Sequence, residues 1–505
     1  MADIILSKKD ESTLYIDCEL AILYELKEKF TFFAEGYKFH PRYKARQWDG
    51  TICLLNARNG TLPLGLYKEL VTYATESLGY EIEYKSTKYG SPDDVENITL
   101  EEINEFVLSL NLHSSGNPIE VRDYQIQALY NCIKNSRQIS LTPTGGGKSL
   151  IAYCLYRWYN AKDLTFMLVV PSLSLIKQMY SDFVDYSTNN NFDVKSNTQV
   201  IAEGADKDIS KQLILATWQS VYKQPQSWFN NSIDVIFGDE LHGWKSESCK
   251  GIMEKSTEVK YRFGVTGSLD KSTVNKLVLK GSFGEISRVK STRDLINEGY
   301  LCDIKIQCLI LKYSKGTKKL LKDCDYVKEI SFITQHEKRN NFIRDLALSQ
   351  IGNTLILFNY VETHGVPLYE KIKEKADSQE VHFVSGTIKA ADRELIRKLV
   401  QGSEEDNIIV ASTGVFSTGI NLPRIHNIIF AHPTKSVIKV IQSIGRGLRK
   451  SDDKAFLKLY DICDAINTSK VSPNYTYNHF IERLRIYSEE DHEYKLIEIE
   501  LEKDK

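Results

Sequence analysis

The segment Leu-Thr-Pro-Thr-Gly-Gly-Gly-Lys-Ser at 141–149 restricts this chain more than any other. An apolar run through Ile139 and Leu141 leads into it, and a helical run at 150–158 leads out. Glycines between a strand and a helix let backbone N–H groups close around phosphate oxygens. Lys148 adds a point charge, and the Ser149 hydroxyl can ligate Mg²⁺. Thr144, Gly145, Gly146, Gly147, Lys148 and Ser149 are therefore the expected cradle of a triphosphate. Thr142 stands where the general pattern has its first glycine.

The remaining hydrophobic pattern agrees with an α/β fold. Short apolar runs at 139–141, 166–170, 213–216, 235–237 and 263–265 alternate with helical patterns. A second series follows at 355–358, 381–384, 408–411, 428–431 and 457–460. Such runs argue for parallel sheets covered by helices on both faces, in two tandem domains. A short amphipathic helix at 291–300, ending at Gly299, is expected at their junction. Turn-rich stretches at 86–97 and 114–118 mark the exit from a separate N-terminal domain. Residues 475–505 read as a helix plus a charged tail.

Length and composition narrow the class. A chain of 505 residues has room for three or four domains of about 150 residues each. No apolar stretch reaches the roughly 18 residues a membrane span needs, and the first residues lack an apolar signal region. The nine cysteines include no Cys-x-x-Cys pair, which predicts free thiols in a reducing cytoplasm rather than disulfides or a zinc site. A net charge of −2 excludes a polycation, so any nucleic-acid site must be a local patch.

Two further motifs carry chemistry. Val-Ile-Phe-Gly-Asp239-Glu240-Leu-His242 ends an apolar strand with adjacent carboxylates. Asp239 is placed to hold Mg²⁺ near the phosphates, and Glu240 to orient or deprotonate the attacking water. Gln442-Ser-Ile-Gly-Arg446-Gly-Leu-Arg449 spaces two guanidiniums three apart, on one side of a helix. They suit the charge that spreads over a triphosphate during transfer. Arginine fingers in one domain and a phosphate loop on the other would make closure depend on ATP.

The ordered set is more specific than any member. Arg122-Asp-Tyr-Gln125 precedes the phosphate loop; Val-Pro-Ser172, Ala-Thr217-Trp-Gln, Asp-Glu-Leu-His and Thr266-Gly-Ser268 follow. Ser-Thr413-Gly-Val-Phe-Ser-Thr-Gly419-Ile-Asn and the Gln-Arg-Arg segment occupy the second series. From about 121 to 461 this resembles the motif series of superfamily 2 helicases and translocases. The resemblance implies two tandem RecA-like parallel-sheet motor domains behind a small α+β N-terminal domain. It implies that Gln125, helped by Arg122, reads adenine, and that Lys148, Ser149, Asp239 and Glu240 bind and hydrolyse Mg-ATP. His242, Thr266 and Ser268 would couple nucleotide state to the domain interface. Gly419, Gln442, Arg446 and Arg449 would complete the ATP site. Ser172, Thr217 and Thr413 would touch nucleic-acid backbone, although a turn or cap role is an equal alternative for each.

One run stands out in the acidic N-terminal part, where residues 1–118 hold 12 Lys/Arg against 19 Asp/Glu. In Tyr37-Lys-Phe-His-Pro-Arg-Tyr-Lys-Ala-Arg-Gln-Trp-Asp-Gly50, the basic residues Lys38, Arg42, Lys44 and Arg46 alternate, together with His40. If extended, they would line one face as a phosphate-tracking row, with Tyr37, Phe39 and Tyr43 on the other; Pro41 makes the segment an edge or loop.

With this run, the chain resembles the UvsW-type recombination helicases of tailed phages over nearly its whole length. Asp-Phe-Val-Asp-Tyr186 and Gly-Val-Phe-Ser-Thr-Gly419 add to the match. The family implies ATP-driven remodelling of branched DNA: fork regression, Holliday-junction branch migration and R-loop unwinding, in recombination, repair and replication. The expected partners are branched or forked DNA and RNA–DNA hybrids. The protein itself is expected to be a monomer in the host cytoplasm, assisted by single-strand-binding or recombination proteins. The expected division is 1–115 for DNA binding, 116–288 and 289–470 for the motors, and 471–505 for the C-terminal helix and tail. An RNA helicase, an ATP-gated strand-clamping or annealing protein and a restriction-system translocase subunit are the alternatives.

Overall fold

The computed structural model describes residues 2–34, 36–244, 246–269, 272–322, 324–377, 379–386, 406–415, 424–434, 436, 440, 443–445, 447–448, 454–467 and 473–503. The chain forms two compact units, Met1–Thr142 with Gly147–Val289, and Pro143–Gly146 with Lys290–Lys505.

The first unit is built on a seven-stranded sheet. Its order is Thr198–Ile201, Leu213–Thr217, Phe166–Val170, Val235–Asp239, Tyr261–Thr266, Arg137–Leu141, Ile286–Ser287. Every pairing is parallel. The three strands from Leu213–Thr217 to Val235–Asp239 are buried along their whole length, which is why they read as unbroken apolar runs. One face packs under Tyr153, Tyr156 and Phe183, the other under Phe229, Trp244 and Ile252. The helix Lys148–Asn160 is apolar nearly all round because it is buried nearly all round. Strand Tyr261–Thr266 separates the strand that ends in the phosphate loop from the strand that ends in Asp239.

A four-stranded sheet, ordered Thr61–Pro63, Thr13–Cys18, Ile4–Lys8, Ile82–Lys85, forms the α+β N-terminal part of the same unit. It is joined to the large sheet by buried polar contacts. Arg137 Nη2 donates to the Glu11 carbonyl at 2.8 Å and pairs with Glu11 Oε2 at 3.1 Å. Arg262 donates to Ser12 Oγ at 2.7 Å, and Lys280 pairs with Glu69 at 2.7 Å. Helix Leu100–Ser109, started by a Thr99–Glu102 capping box, puts Ile103 and Val107 into the core of the large sheet. The polar stretch at 114–118 is a two-stranded ribbon, His113–Ser114 with Asn117–Pro118, tied to Asp185 through Ser114 Oγ at 2.7 Å.

The second unit repeats the plan. Its sheet is ordered Glu380–Val384, Asn407–Ser412, Thr354–Phe358, Asn427–Phe430, Phe456–Ala465, Asp303–Lys312, Tyr494–Glu500, all parallel. Helix Tyr475–Glu489 is pinned by fully buried Arg483, whose Nη2 meets Asp461 Oδ1 at 2.7 Å. The expected tail is a strand: Tyr494–Glu500 pairs with Asp303–Lys312. Its five exposed residues disguise it, since an edge strand needs little apolar surface. No helix among the described residues is long and apolar enough to cross a membrane.

Candidate active site

The phosphate loop turns through two left-handed glycines, Gly145 and Gly147, both at φ 85°. The positive φ favours glycine at 147, and a side chain there would also displace the Gln125 amide. Gly147 is also the N-cap of helix Lys148–Asn160, and no side chain caps that end. Its first N–H groups are thus left to backbone, solvent or an anion, with the helix dipole favouring the anion. Thr142 is buried, its N–H donating to the Thr266 carbonyl at 3.0 Å. That bond ties the loop's entry to the end of the neighbouring strand.

Val235–Asp239 delivers its carboxylates to the same edge. Lys148 Nζ lies 3.0 Å from Glu240 Oε1, and His242 Nδ1 lies 3.2 Å from Glu240 Oε2. Glu240 adopts φ 50°, ψ 55°, a left-handed conformation that a non-glycine residue holds only when its surroundings impose it. Burial alone would raise the Glu240 pKa, but Lys148 and His242 hold its carboxyl far below the usual range. Burial, and then the Glu240 charge, push the neighbouring Asp239 carboxyl up to about 6. Asp239 is 2 % exposed, and its Oδ1 has no hydrogen-bond partner. An orphaned buried carboxylate oxygen is a hard donor that fits a small divalent cation.

The other expected residues of this unit are close in the fold. Gln125 is buried, with Oε1 accepting from the Arg122 N–H at 3.0 Å. Arg122 Nη1 donates to the Tyr124 hydroxyl at 2.9 Å. Thr266 ends its strand and donates to the Ser268 carbonyl at 2.9 Å, while Ser268 Oγ is buried without a partner. Ser172 caps helix Leu173–Tyr186, accepting from the Leu175 N–H at 3.4 Å. Thr217 is 2.8 Å from Ser220 Oγ. In the second unit, Thr413 donates to the Phe358 carbonyl at 2.9 Å. Ser172 thus serves as a cap and Thr217 bonds within its own turn, whereas Thr413 ties its strand end to the neighbouring strand.

Family models match three consecutive stretches of the chain. "DNA helicase UvsW, N-terminal" matches residues 3–85, "Type III restriction enzyme, res subunit" 118–271, and "Helicase conserved C-terminal domain" 337–451. The chain is 33% identical over 516 residues to the ATP-dependent DNA helicase uvsW of Enterobacteria phage T4, covering 99% of this chain and 100% of that protein. It belongs to the UvsW helicase family. The crystal structure of T4 UvsW matches with TM-score 0.53 at 30% identity, over 99% of this chain and 100% of that one. At 14% identity, the DNA-bound Type ISP restriction-modification enzyme LlaBIII matches with TM-score 0.55, over 81% of this chain and 33% of that one, a likeness of fold.

Set beside this family, the expectations divide. Gly147, Lys148, Asp239, Glu240, His242, Thr266 and Gln125 come together at one edge of one sheet. Gly419, Gln442, Arg446 and Arg449 lie outside the described residues. The basic row is corrected. Lys38, Arg42, Lys44 and Arg46 are all exposed, but Tyr37–Phe39 is a 3-10 turn and Pro41–Lys44 a short helix, so alternate residues do not share a strand face. Proline at the first helical position, after the His40 cap that accepts from the Arg42 N–H, starts a helix instead.

Two features of this site lie outside the chemistry-bearing motifs. Tyr186 places its hydroxyl 2.9 Å from Ser149 Oγ, and burial pushes its phenol well up, so it stays protonated. Its sequence signal was only its place in Asp-Phe-Val-Asp-Tyr. Gly238 and Gly264 leave the space that Leu241 fills; a methyl at Gly264 would come within 2.7 Å of Leu241 Cγ. This seats the 3-10 turn Leu241–Gly243 over the strand ends and holds Asp239 and Glu240 in place.

Proposed function

We propose that this protein is an ATP-dependent DNA helicase and translocase that remodels branched DNA in the cytoplasm of an infected cell. Fork regression, Holliday-junction branch migration and R-loop unwinding are its reactions. The observation that carries the reading is the Lys148–Glu240 pair at 3.0 Å beside the unpartnered Asp239 oxygen, at an uncapped helix N-terminus. End-to-end similarity to a phage DNA helicase supports it.

In this reading the loop N–H groups and Lys148 take the phosphates, and Ser149 and Asp239 hold Mg²⁺. When bound, Mg²⁺ would offset charge on the phosphate oxygens. Lys148 then exchanges its Glu240 partner for phosphate, and Glu240 accepts a proton from, or aligns, the attacking water. Gln125 and Arg122 contact the base. His242, Thr266 and Ser268 relay the nucleotide's state, because each touches or adjoins the carboxylate pair or the loop's entry. Gln442, Arg446 and Arg449 complete the hydrolytic set on the strength of their motif. Lys38, Arg42, Lys44 and Arg46 bind DNA phosphates as a cluster around a turn. Ser172, Thr217 and Thr413 touch the backbone of the translocated strand.

The test is a panel of single-stranded, duplex, forked, four-way and RNA–DNA substrates. ATPase activity should be highest on branched DNA, and forks should be unwound. Lys148→Ala and Glu240→Gln should abolish turnover, the latter while retaining nucleotide binding. Turnover that ignores DNA, or survives Lys148→Ala, would end this reading.

A further inference from the structure

Between the paired strands Thr31–Phe33 and Thr51–Cys53 the chain makes a basic excursion, and its aromatic residues are unequally placed. Tyr37 stacks on Phe33 at 4.6 Å and meets Tyr43 edge-on at 4.9 Å. His40 packs edge-on against Trp48 at 5.2 Å, and Trp48 Nε1 donates to the Thr51 carbonyl at 2.8 Å. Gly50 has no side chain where the Tyr37 ring lies. Phe39 belongs to none of these contacts and is 79% exposed, with Phe33 58% exposed nearby.

The turn that presents Phe39 is held firmly. Gly36 enters it at φ 68°, the Phe39 N–H donates to the Gly36 carbonyl at 2.9 Å, and the His40 N–H to Tyr37 at 3.0 Å. Lys38, Lys44 and Arg46 line one open hollow with Trp48 and Asp49, Arg42 follows Phe39 by three residues, and all four cations are exposed. Among the described residues of the excursion the carboxylate is Asp49, engaged by the Thr51 N–H at 2.9 Å and hydroxyl at 2.7 Å.

A single exposed phenylalanine is ordinary. One raised on a braced turn in a segment that carries four exposed cations is a different surface, because the cations select a polyanion and the ring needs a flat apolar face. DNA offers both, but a continuous duplex hides its base faces in the stack. They open only at a branch, a strand end or an unpaired strand. We propose that Phe39 stacks on the exposed base at a DNA branch point while Lys38, Arg42, Lys44 and Arg46 hold the flanking phosphates. The turn thereby distinguishes branched DNA from continuous duplex. This rests on the DNA-remodelling reading and adds to it the group that recognises the branch.

The experiment uses the full-length protein with a non-hydrolysable ATP analogue and a fork carrying 2-aminopurine at the branch. A duplex of equal length serves as reference. Wild-type protein should change the probe's fluorescence and prefer fork over duplex. Phe39→Ala should remove the fluorescence change and lower the fork-to-duplex affinity ratio about tenfold, the scale of one lost base–aromatic stack. Phe39→Trp should retain both. Thermal melts of each variant exclude misfolding as the cause. An unchanged ratio and fluorescence in Phe39→Ala, or an equal loss on fork and duplex, overturns the proposal. Wild-type protein whose ATPase ignores DNA overturns the function reading instead, and the two failures are read by separate signals.

Discussion

Glu240 answers to two basic groups at once, Lys148 at 3.0 Å and His242 at 3.2 Å, from a backbone conformation it would not choose alone. That strain is retained because Leu241 is wedged over the bare Gly264 behind it. Gly264→Ala should therefore cost about 1–3 kcal/mol by overpacking. It should also depress ATPase turnover; a variant with wild-type melting temperature and turnover would show that the turn does not depend on this glycine. Tyr186→Phe removes one hydroxyl and leaves the ring among Tyr153 and its neighbours. In the proposed Mg²⁺ site the Ser149 proton would point away from the cation, and the Tyr186 oxygen is placed to accept it. Mg²⁺ titration of fluorescent-ATP binding should then weaken about fivefold, the worth of a hydrogen bond of about 1 kcal/mol. The charged residues are legible in the sequence because their chemistry is distinctive. Tyr186 and Gly264 are not, because nothing in a tyrosine or a strand glycine announces what it touches.

At the scale of elements, the parallel strands with apolar runs were legible, since burial on both faces leaves no polar positions. The strands Thr198–Ile201, Asp303–Lys312 and Tyr494–Glu500 were not, being partly exposed or laden with charge. The basic segment misled through its spacing. Alternation suggested a strand, but a proline following a capping residue nucleates helix, and the cations cluster around a turn. Replacing Lys38, Arg42 and Arg46 together by alanine should make the plot of log affinity against log salt shallower, by about 0.9 for each lost phosphate contact. An unchanged slope would assign these residues to solvent.

At the scale of the whole molecule, the N-terminal sheet and the first large sheet share buried charge. Glu11→Ala would leave Arg137 buried without its carboxylate, an imbalance of about 3–5 kcal/mol. The first unit should melt earlier, and proteolysis should cut within 86–97 in the variant before the wild type. The second unit should be the acid-sensitive one. Burial, and then Arg293, hold His492 down to about 4 from its ordinary 6.5. Burial, followed by Arg339 and His432, also holds His364 well below its ordinary value. Below pH 6.5 the unfolded chain binds protons that the folded chain refuses, so stability is intact above that pH and is lost as pH falls toward 4. His492 alone accounts for roughly 2 kcal/mol by about pH 5. Thermal unfolding between about pH 7.5 and 5 should show this loss, and His492→Gln should flatten it.

What the sequence by itself determined was the chemistry and the plan: a phosphate loop, an acidic pair, two parallel sheets and an ordered motif series. These depend on residue type and short-range pattern, which a linear chain displays openly. Only the tertiary structure decided that Glu240 meets Lys148 across an intervening strand, that Tyr186 reaches Ser149, and that the N-terminal sheet rests on buried arginines. It also decided that Phe39 stands in solvent. Each of these is a contact between residues far apart in the chain, or an exposure set by what packs around it. Local propensity carries no record of either.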